Sequence, residues 1–176
     1  MATFLLLPNA TGAGTSAHWV ASADTRHECL DDDNGDTSFV SCDNGTAYMI
    51  IEYANPHVDE ADIDSIDSVR FISSGRSTNR SSNSKVNIKF EAPTAGFLEL
   101  CDFDRHSSNY ETINGTARTT SDGSNAWTYA NLEALEMRCT KILAVNVRLS
   151  YLAFEVTYTE VGAAVTDNST FFGANF

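Results

Sequence analysis

Residues 143–160 read LAVNVRLSYLAFEVTYTE, and the spacing of their apolar side chains decides the fold. Val145, Val147, Leu149 and Tyr151 fall on alternate positions, after which Leu152, Phe154, Val156 and Tyr158 alternate in the opposite phase. Alternation with period two marks a strand with one buried face. The phase change leaves two options: a bulge or bend near Tyr151 that restores a single inward face, or a tight break into two strands.

Working outward, Val86, Ile88 and Phe90 alternate with Asn87 and Lys89 in the same way. Further short runs at Ala47 to Tyr53, Val69 to Ile72 and Phe97 to Leu100 are rich in β-branched and aromatic residues. Clusters of Gly, Asn, Asp and Ser separate them, a spacing that points to a sandwich or barrel. The opening run Phe4-Leu5-Leu6-Leu7, stopped by Pro8, is too short for the apolar core of a secretory signal and reads as a first or edge strand. Ser73 to Ser84 has no large apolar residue and reads as a long connection, and Ser107 to Asn125 as a second polar region with weak strands. Only Asn131 to Met137, with Leu132 and Leu135 three apart, reads as a helix, of one or two turns. The expected fold class is all-β, with a sandwich domain over residues 1–160 and a C-terminal extension over 161–176.

The chain has 176 residues, enough for one core and close to the usual size of one domain. Its formal charge of -13, from 24 acidic against 11 basic residues, repels phosphate backbones and anionic lipid, so neither nucleic acid nor membrane is an expected partner. No stretch approaches the ~20 apolar residues of a spanning helix. Cys29, Cys42, Cys101 and Cys139 are widely spread, with no CxxC pair. They read as buried free thiols, and Cys29 with Cys42, which flank one acidic turn, is the pair to bridge if any does.

The census of chemical motifs finds no catalytic residue to name, and the chain is expected not to be an enzyme. His18, His27, His57 and His106 have no metal-ligand spacing, and GxSxG, P-loop and GxGxxG patterns are absent. Oxygen ligands concentrate in Asp31-Asp32-Asp33-Asn34-Gly35-Asp36, which reads either as a solvated turn or as a calcium site held by Asp31, Asp33 and Asp36. No other cofactor is expected. A second acidic group, Asp59, Glu60, Asp62, Asp64 and Asp67, reads as a solvated edge, with no apolar setting to make an acid pair. Trp19 and Trp127 stand inside apolar patterns and read as core, with stacking on a sugar ring as the alternative. Asn-x-Ser/Thr occurs at Asn9, Asn44, Asn79, Asn114 and Asn168, as an Asn- and Ser-rich composition produces by chance. Phe171, Phe172 and Phe176 form an apolar group in the extension, which either packs back on the domain or docks on a neighbour.

Three phrases, LLPNATGAGTSAHWVAS (6–22), DDDNGDTSFVSC (31–42) and NAWTYANLEALEMR (125–138) followed by VRLSYLAFEVTYTE (147–160), resemble a group of tailed-bacteriophage virion proteins with jelly-roll-like sandwich domains. The positions that carry the resemblance are Trp19, Asp31 to Asp36, Phe39 to Ser41, Trp127, Thr128, Leu132, Leu135 and Val147 to Tyr158. It implies a jelly-roll-like antiparallel sandwich that works in the virion as a capsid decoration (cement) protein, or as a tail- or baseplate-associated one. The implied partners are the major capsid protein or other virion proteins, and the implied state is a homo-oligomer, a trimer. The alternative function is a carbohydrate- or receptor-binding β-sandwich module.

Overall fold

The computed structural model describes residues 1–33, 35–43, 47–54, 56–77, 86–105, 109–141 and 146–162, and for 86–89, 97–98 and 101–105 it describes the backbone. Among the described residues, eleven strands and one short α-helix follow in order: β1 (Ala2–Leu6), β2 (Ala10–Thr11), β3 (Trp19–Ala21), β4 (Val40–Cys42), β5 (Tyr48–Glu52), β6 (Ile63–Ser77), β7 (Val86–Ala92), β8 (Phe97–Arg105), β9 (Glu111–Asn114), α1 (Tyr129–Glu133), β10 (Glu136–Lys141) and β11 (Val147–Glu160). The first sheet runs β3-β4-β11-β6-β9, with β1 also on β11, and the second runs β2-β5-β10-β7-β8. From β4 onward the chain changes sheet at every step except the β7–β8 hairpin. The order β4-β11-β6-β9 is therefore matched by β5-β10-β7-β8, two antiparallel sheets wound as a jelly roll. The all-β sandwich read from the strand spacing is the observed architecture.

The phase change in the last run is a bulge within one strand. Gly75 pairs with Leu149 and Ser74 with Tyr151, so Ser150 is the extra residue. Val147 and Leu149 before it and Leu152, Phe154 and Val156 after it are all buried. The bulge lies where the partner on one side of β11 changes. On one side of β11, β4 pairs with residues 147–149 and β1 with 154–158, which leaves a gap between them. The segment before and within the acidic turn fills it: Leu152 N donates to Leu30 O at 3.0 Å, and Ser150 Oγ donates to Asp33 at 3.1 Å.

Aromatic rings tie the two sheets together. Phe154 meets Tyr53 edge-on at 4.8 Å and Phe71 at 5.2 Å, and Phe71 meets Phe90 of the second sheet at 4.8 Å. Trp19 and Trp127 are both core residues, and the Trp127 indole donates to Arg118 O at 2.9 Å. Cys29, Cys42 and Cys139 are buried thiols outside any disulfide, so Cys29 and Cys42 do not bridge. The side chain of Cys101 lies outside the described residues.

Two assignments from local composition are corrected. Ser73 to Ser77, read as the start of a connection, belongs to β6, which β11 and β9 flank on both sides. Ser73, Ser74 and Ser77 are buried there, and the ladders to β11 and β9 satisfy the backbone. Residues 78–84 of that connection lie outside the described residues. The helix begins at Tyr129, two residues earlier than expected, on a capping box between Thr128 and Asn131. It ends at Glu133 because Glu136 to Lys141 alternates into a strand, with Met137 and Cys139 on the inward face. The C-terminal extension from 163 onward, with Phe171, Phe172 and Phe176, lies outside the described residues.

That inward face of β10 ends on a cation. Lys141 is fully buried, and its Nζ crosses the sandwich to donate to Cys42 O at 3.1 Å. Burial disfavours the charged form and holds this amine below the usual lysine range, while the neighbouring Cys42 and Asp43 pull the other way. Between the lowered folded value and the ordinary one of about 10.4, the unfolded chain binds the extra proton, so stability rises with pH across that window. Urea midpoints measured from pH 7 to pH 10 should show a rise in the native protein that Lys141→Met lacks. Parallel curves would show that this lysine does not titrate abnormally.

Candidate functional site

The outer face of the first sheet is set by the strands already placed. Trp19, Val40, Cys42, Val147 and Leu149 point inward, so Val20, Ser41 and Arg148 point outward. Val20 pairs with Ser41, Ser41 with Arg148, and Arg148 with Arg76, which forms one transverse row over four strands. Rigid strands thus place two arginines side by side on an outer face.

Their charges converge on the acidic turn. Asp36 Oδ1 accepts from Arg76 Nη2 and, at 2.9 Å, from Arg148 Nη1. The guanidinium of Arg76 lies 5.3 Å from the centre of the Tyr110 ring, and that of Arg148 lies 4.2 Å from the Phe39 ring. The turn reaches this position through Gly35, whose φ of +61° is left-handed; a side chain added there would lie 3.7 Å from the Tyr110 ring. Arg76 and Arg148 thus share the Asp36 carboxylate on a chain of net charge -13.

Desolvation opposes ionisation of Asp36, but the hydrogen bonds from Arg76 and Arg148 outweigh it and hold the carboxyl below its ordinary range. A carboxylate with a lowered folded value contributes stability above about pH 3.9, and this is lost as pH falls through the folded value. Because the Asp36 side chain is 60% exposed, water screens much of the effect. The difference in urea midpoint between the native protein and Asp36→Asn should be small at pH 7 and close below about pH 4. A difference that widens on acidification would contradict the pairing.

Beside this network a cleft of about 400 Å³ opens on the same face. It is lined by His18, Val20, Ser41, Asp43, Asn146 and Arg148. His18 Nδ1 lies 3.6 Å from Asp43 Oδ1 at one end, and both side chains are open to solvent. Hydroxyl, amide, imidazole, carboxylate and guanidinium groups therefore surround one shallow space. Such a set can donate to and accept from a ligand with many hydroxyl groups.

The candidate calcium ligands Asp31, Asp33 and Asp36 stand in three different settings. Asp36 faces the two arginines, Asp33 accepts from Ser150, and the carboxyl of Asp31 is raised by burial and then by the neighbouring Asp32. Among the described residues no group of three His, Cys, Asp or Glu side chains is placed to hold a metal ion. In the second acidic group, Asp59 caps a single helical turn by accepting from Ala61 N, and Asp67 accepts from Ser65 and Thr159. His27 hydrogen-bonds Thr25, His57 lies beside Asp31 in a separate cleft, and His106 is outside the described residues. The buried tryptophans are not available for stacking.

Sequence reasoning passed over Phe39, Arg76, Tyr110, Asn146 and Arg148 as site residues. A usable signal existed for Arg148: with Val147 and Leu149 inward, it must face out.

No protein-family model matches the sequence, and no curated protein matches it. Among solved structures, the chain is similar to the CBM36-1 domain of a multidomain xylanase from the hindgut metagenome of Trinervitermes trinervoides, with 9% identity and a TM-score of 0.44 over 91% of this chain and 100% of that one. It is also similar to a family 16 carbohydrate binding module-2, at 11% identity and a TM-score of 0.38 over 69% and 78% of the two chains. A third structure, described as "CBM4 structure and function", gives 12% identity and a TM-score of 0.36 over 68% and 83%. The fold assignment rests on the strand pairing alone.

Proposed function

We propose that this chain is a non-catalytic jelly-roll module that holds carbohydrate in the cleft on the outer face of its first sheet. The observation that carries this reading is the cleft lined by Ser41, Asp43, Asn146 and Arg148, with Arg148 fixed by Asp36 and Phe39. Sugars offer a donor and an acceptor at most carbons, and recognition needs both kinds of partner held in place beforehand. Ser41 and Arg148 stand on paired strands, while Val20 adds apolar contact for a ring face. Affinity electrophoresis against xylan, mixed-linkage glucan, mannan, chitin and pectin tests the reading. Retardation by at least one polysaccharide, lost in Arg148→Ala, is the expected result, and free migration through all of them would overturn it.

The virion reading stands as a second proposal, resting on the resemblance of the three phrases. In this fold Trp19 and Leu132 are core residues, Asp33 and Asp36 fasten the turn, and Thr128 caps the helix. A capsid decoration role predicts that particles lacking the protein lose heat resistance and that the protein is a trimer in solution. Unchanged heat resistance would remove it.

A further inference from the structure

A second cleft, of about 500 Å³, shares Val20 with the first. It runs from Thr11 on β2 past Val20 and Ala21 to the turn that carries Asp24, Thr25 and His27. Edge strand β3 pairs with β4 alone among the described strands, and its Val20 forms a rim that both clefts share. Arg26 fastens the turn to that rim, its Nε donating to Trp19 O. His27 is held in turn by the Thr25 hydroxyl at 3.0 Å. Arg26 and His27 of the second cleft are thus held in place.

Val20 lines both clefts and is 56% exposed, although it sits in a strand between buried Trp19 and half-buried Ala21. An exposed β-branched side chain with polar groups on either side is a poor end wall and a good saddle. Its methyl groups suit the C–H face of a pyranose, and the groups beyond it suit the hydroxyls of the next units. Each cleft alone is within the size range that holds a small ligand.

We infer, building on the carbohydrate reading, that the two clefts are consecutive subsites of one groove and that the ligand is a glycan chain that crosses β3 over Val20. A single sugar or a chain end would fill only one cleft. A chain fills both and gains from holding the second after the first, since the linkage keeps the next unit at high effective concentration.

Calorimetric titration of the full chain with cello-, xylo- and manno-oligosaccharides, from the monosaccharide to the hexasaccharide, reads this directly. In the series that binds, affinity should rise about tenfold or more between disaccharide and hexasaccharide. Asp24→Ala and Val20→Asp should each reduce that hexasaccharide-to-disaccharide ratio severalfold. Asn146→Ala, in the first cleft, should weaken both lengths and keep the ratio. Melting temperatures of the variants check that each is folded, and Asp24, being exposed, keeps the test interpretable if Val20→Asp is not. Equal affinity from the disaccharide upward, or a ratio unmoved by Asp24→Ala, would overturn the two-subsite groove while leaving carbohydrate binding in place. Silence towards every sugar and every polysaccharide would remove both.

Discussion

Phe154→Ala should cost about 3–5 kcal/mol of folding stability, the range for deleting a large ring from a core that cannot collapse around the space. Phe154 is 1% exposed and stands in the middle of β11, paired with Leu6 on one side and Phe71 on the other. Its ring touches Tyr53 edge-on and Phe71, and through Phe71 the contact reaches Phe90 on the opposite sheet. Truncation therefore removes the ring at which both sheets meet, and strands fixed on either side by ladders cannot close the gap. Since whole domains are stable by only about 5–15 kcal/mol, the variant should be near the limit of folding at 25 °C. Urea unfolding followed by tryptophan fluorescence measures it. A lower midpoint with an unchanged slope is expected, and a loss below about 1 kcal/mol would mean that the sheets are not joined at this ring.

Arg148→Ala should lower carbohydrate affinity by about tenfold to a hundredfold with little effect on stability. A hydrogen bond from a charged group contributes about 1.5–3 kcal/mol, and each tenfold in affinity is about 1.4 kcal/mol. Arg148 lines the cleft and is aimed by Asp36 at 2.9 Å and by the Phe39 ring. The fold should survive because Arg76 still engages Asp36 and the row lies on the outer face. Arg148→Lys is informative beside it. Lysine keeps the charge but has neither the fork that bridges carboxylate and ligand nor the planar face that lies on a ring, so it should rescue little. Full affinity in either variant, measured by calorimetry, would place the ligand elsewhere.

The parts of the fold legible in the sequence are those where one strand's own pattern records its burial. In β11 the apolar phase before and after Ser150 gives the inward face on both sides of the bulge, and the outward place of Arg148 follows from it. Ser73 to Ser77 reads as a connection because small polar residues carry no burial signal. Their place in a central strand is decided by β11 and β9, which lie far away in the chain. Strand β10 is hidden for a related reason, since Leu132 to Met137 are good helix formers and only pairing with β5 and β7 turns Glu136 onward into a strand.

The site is less legible than the fold. A run of aspartates read alone suggests solvent or a cation, and nothing near Asp36 announces that its partners stand 40 and 112 residues away. Arg76 sits in a segment that looks like a loop, and Phe39 and Tyr110 look like ordinary half-buried rings. The cleft exists only once β3, β4 and β11 are side by side.

The most direct measurement is a titration of the isotope-labelled protein with a bound oligosaccharide, followed by amide chemical-shift changes residue by residue. The account predicts that the largest changes fall at Val20, Ser41, Asn146 and Arg148 on the outer face of the first sheet. Changes concentrated on the outer face of the second sheet, around Tyr48 and Arg138, or no change with any sugar, would contradict it.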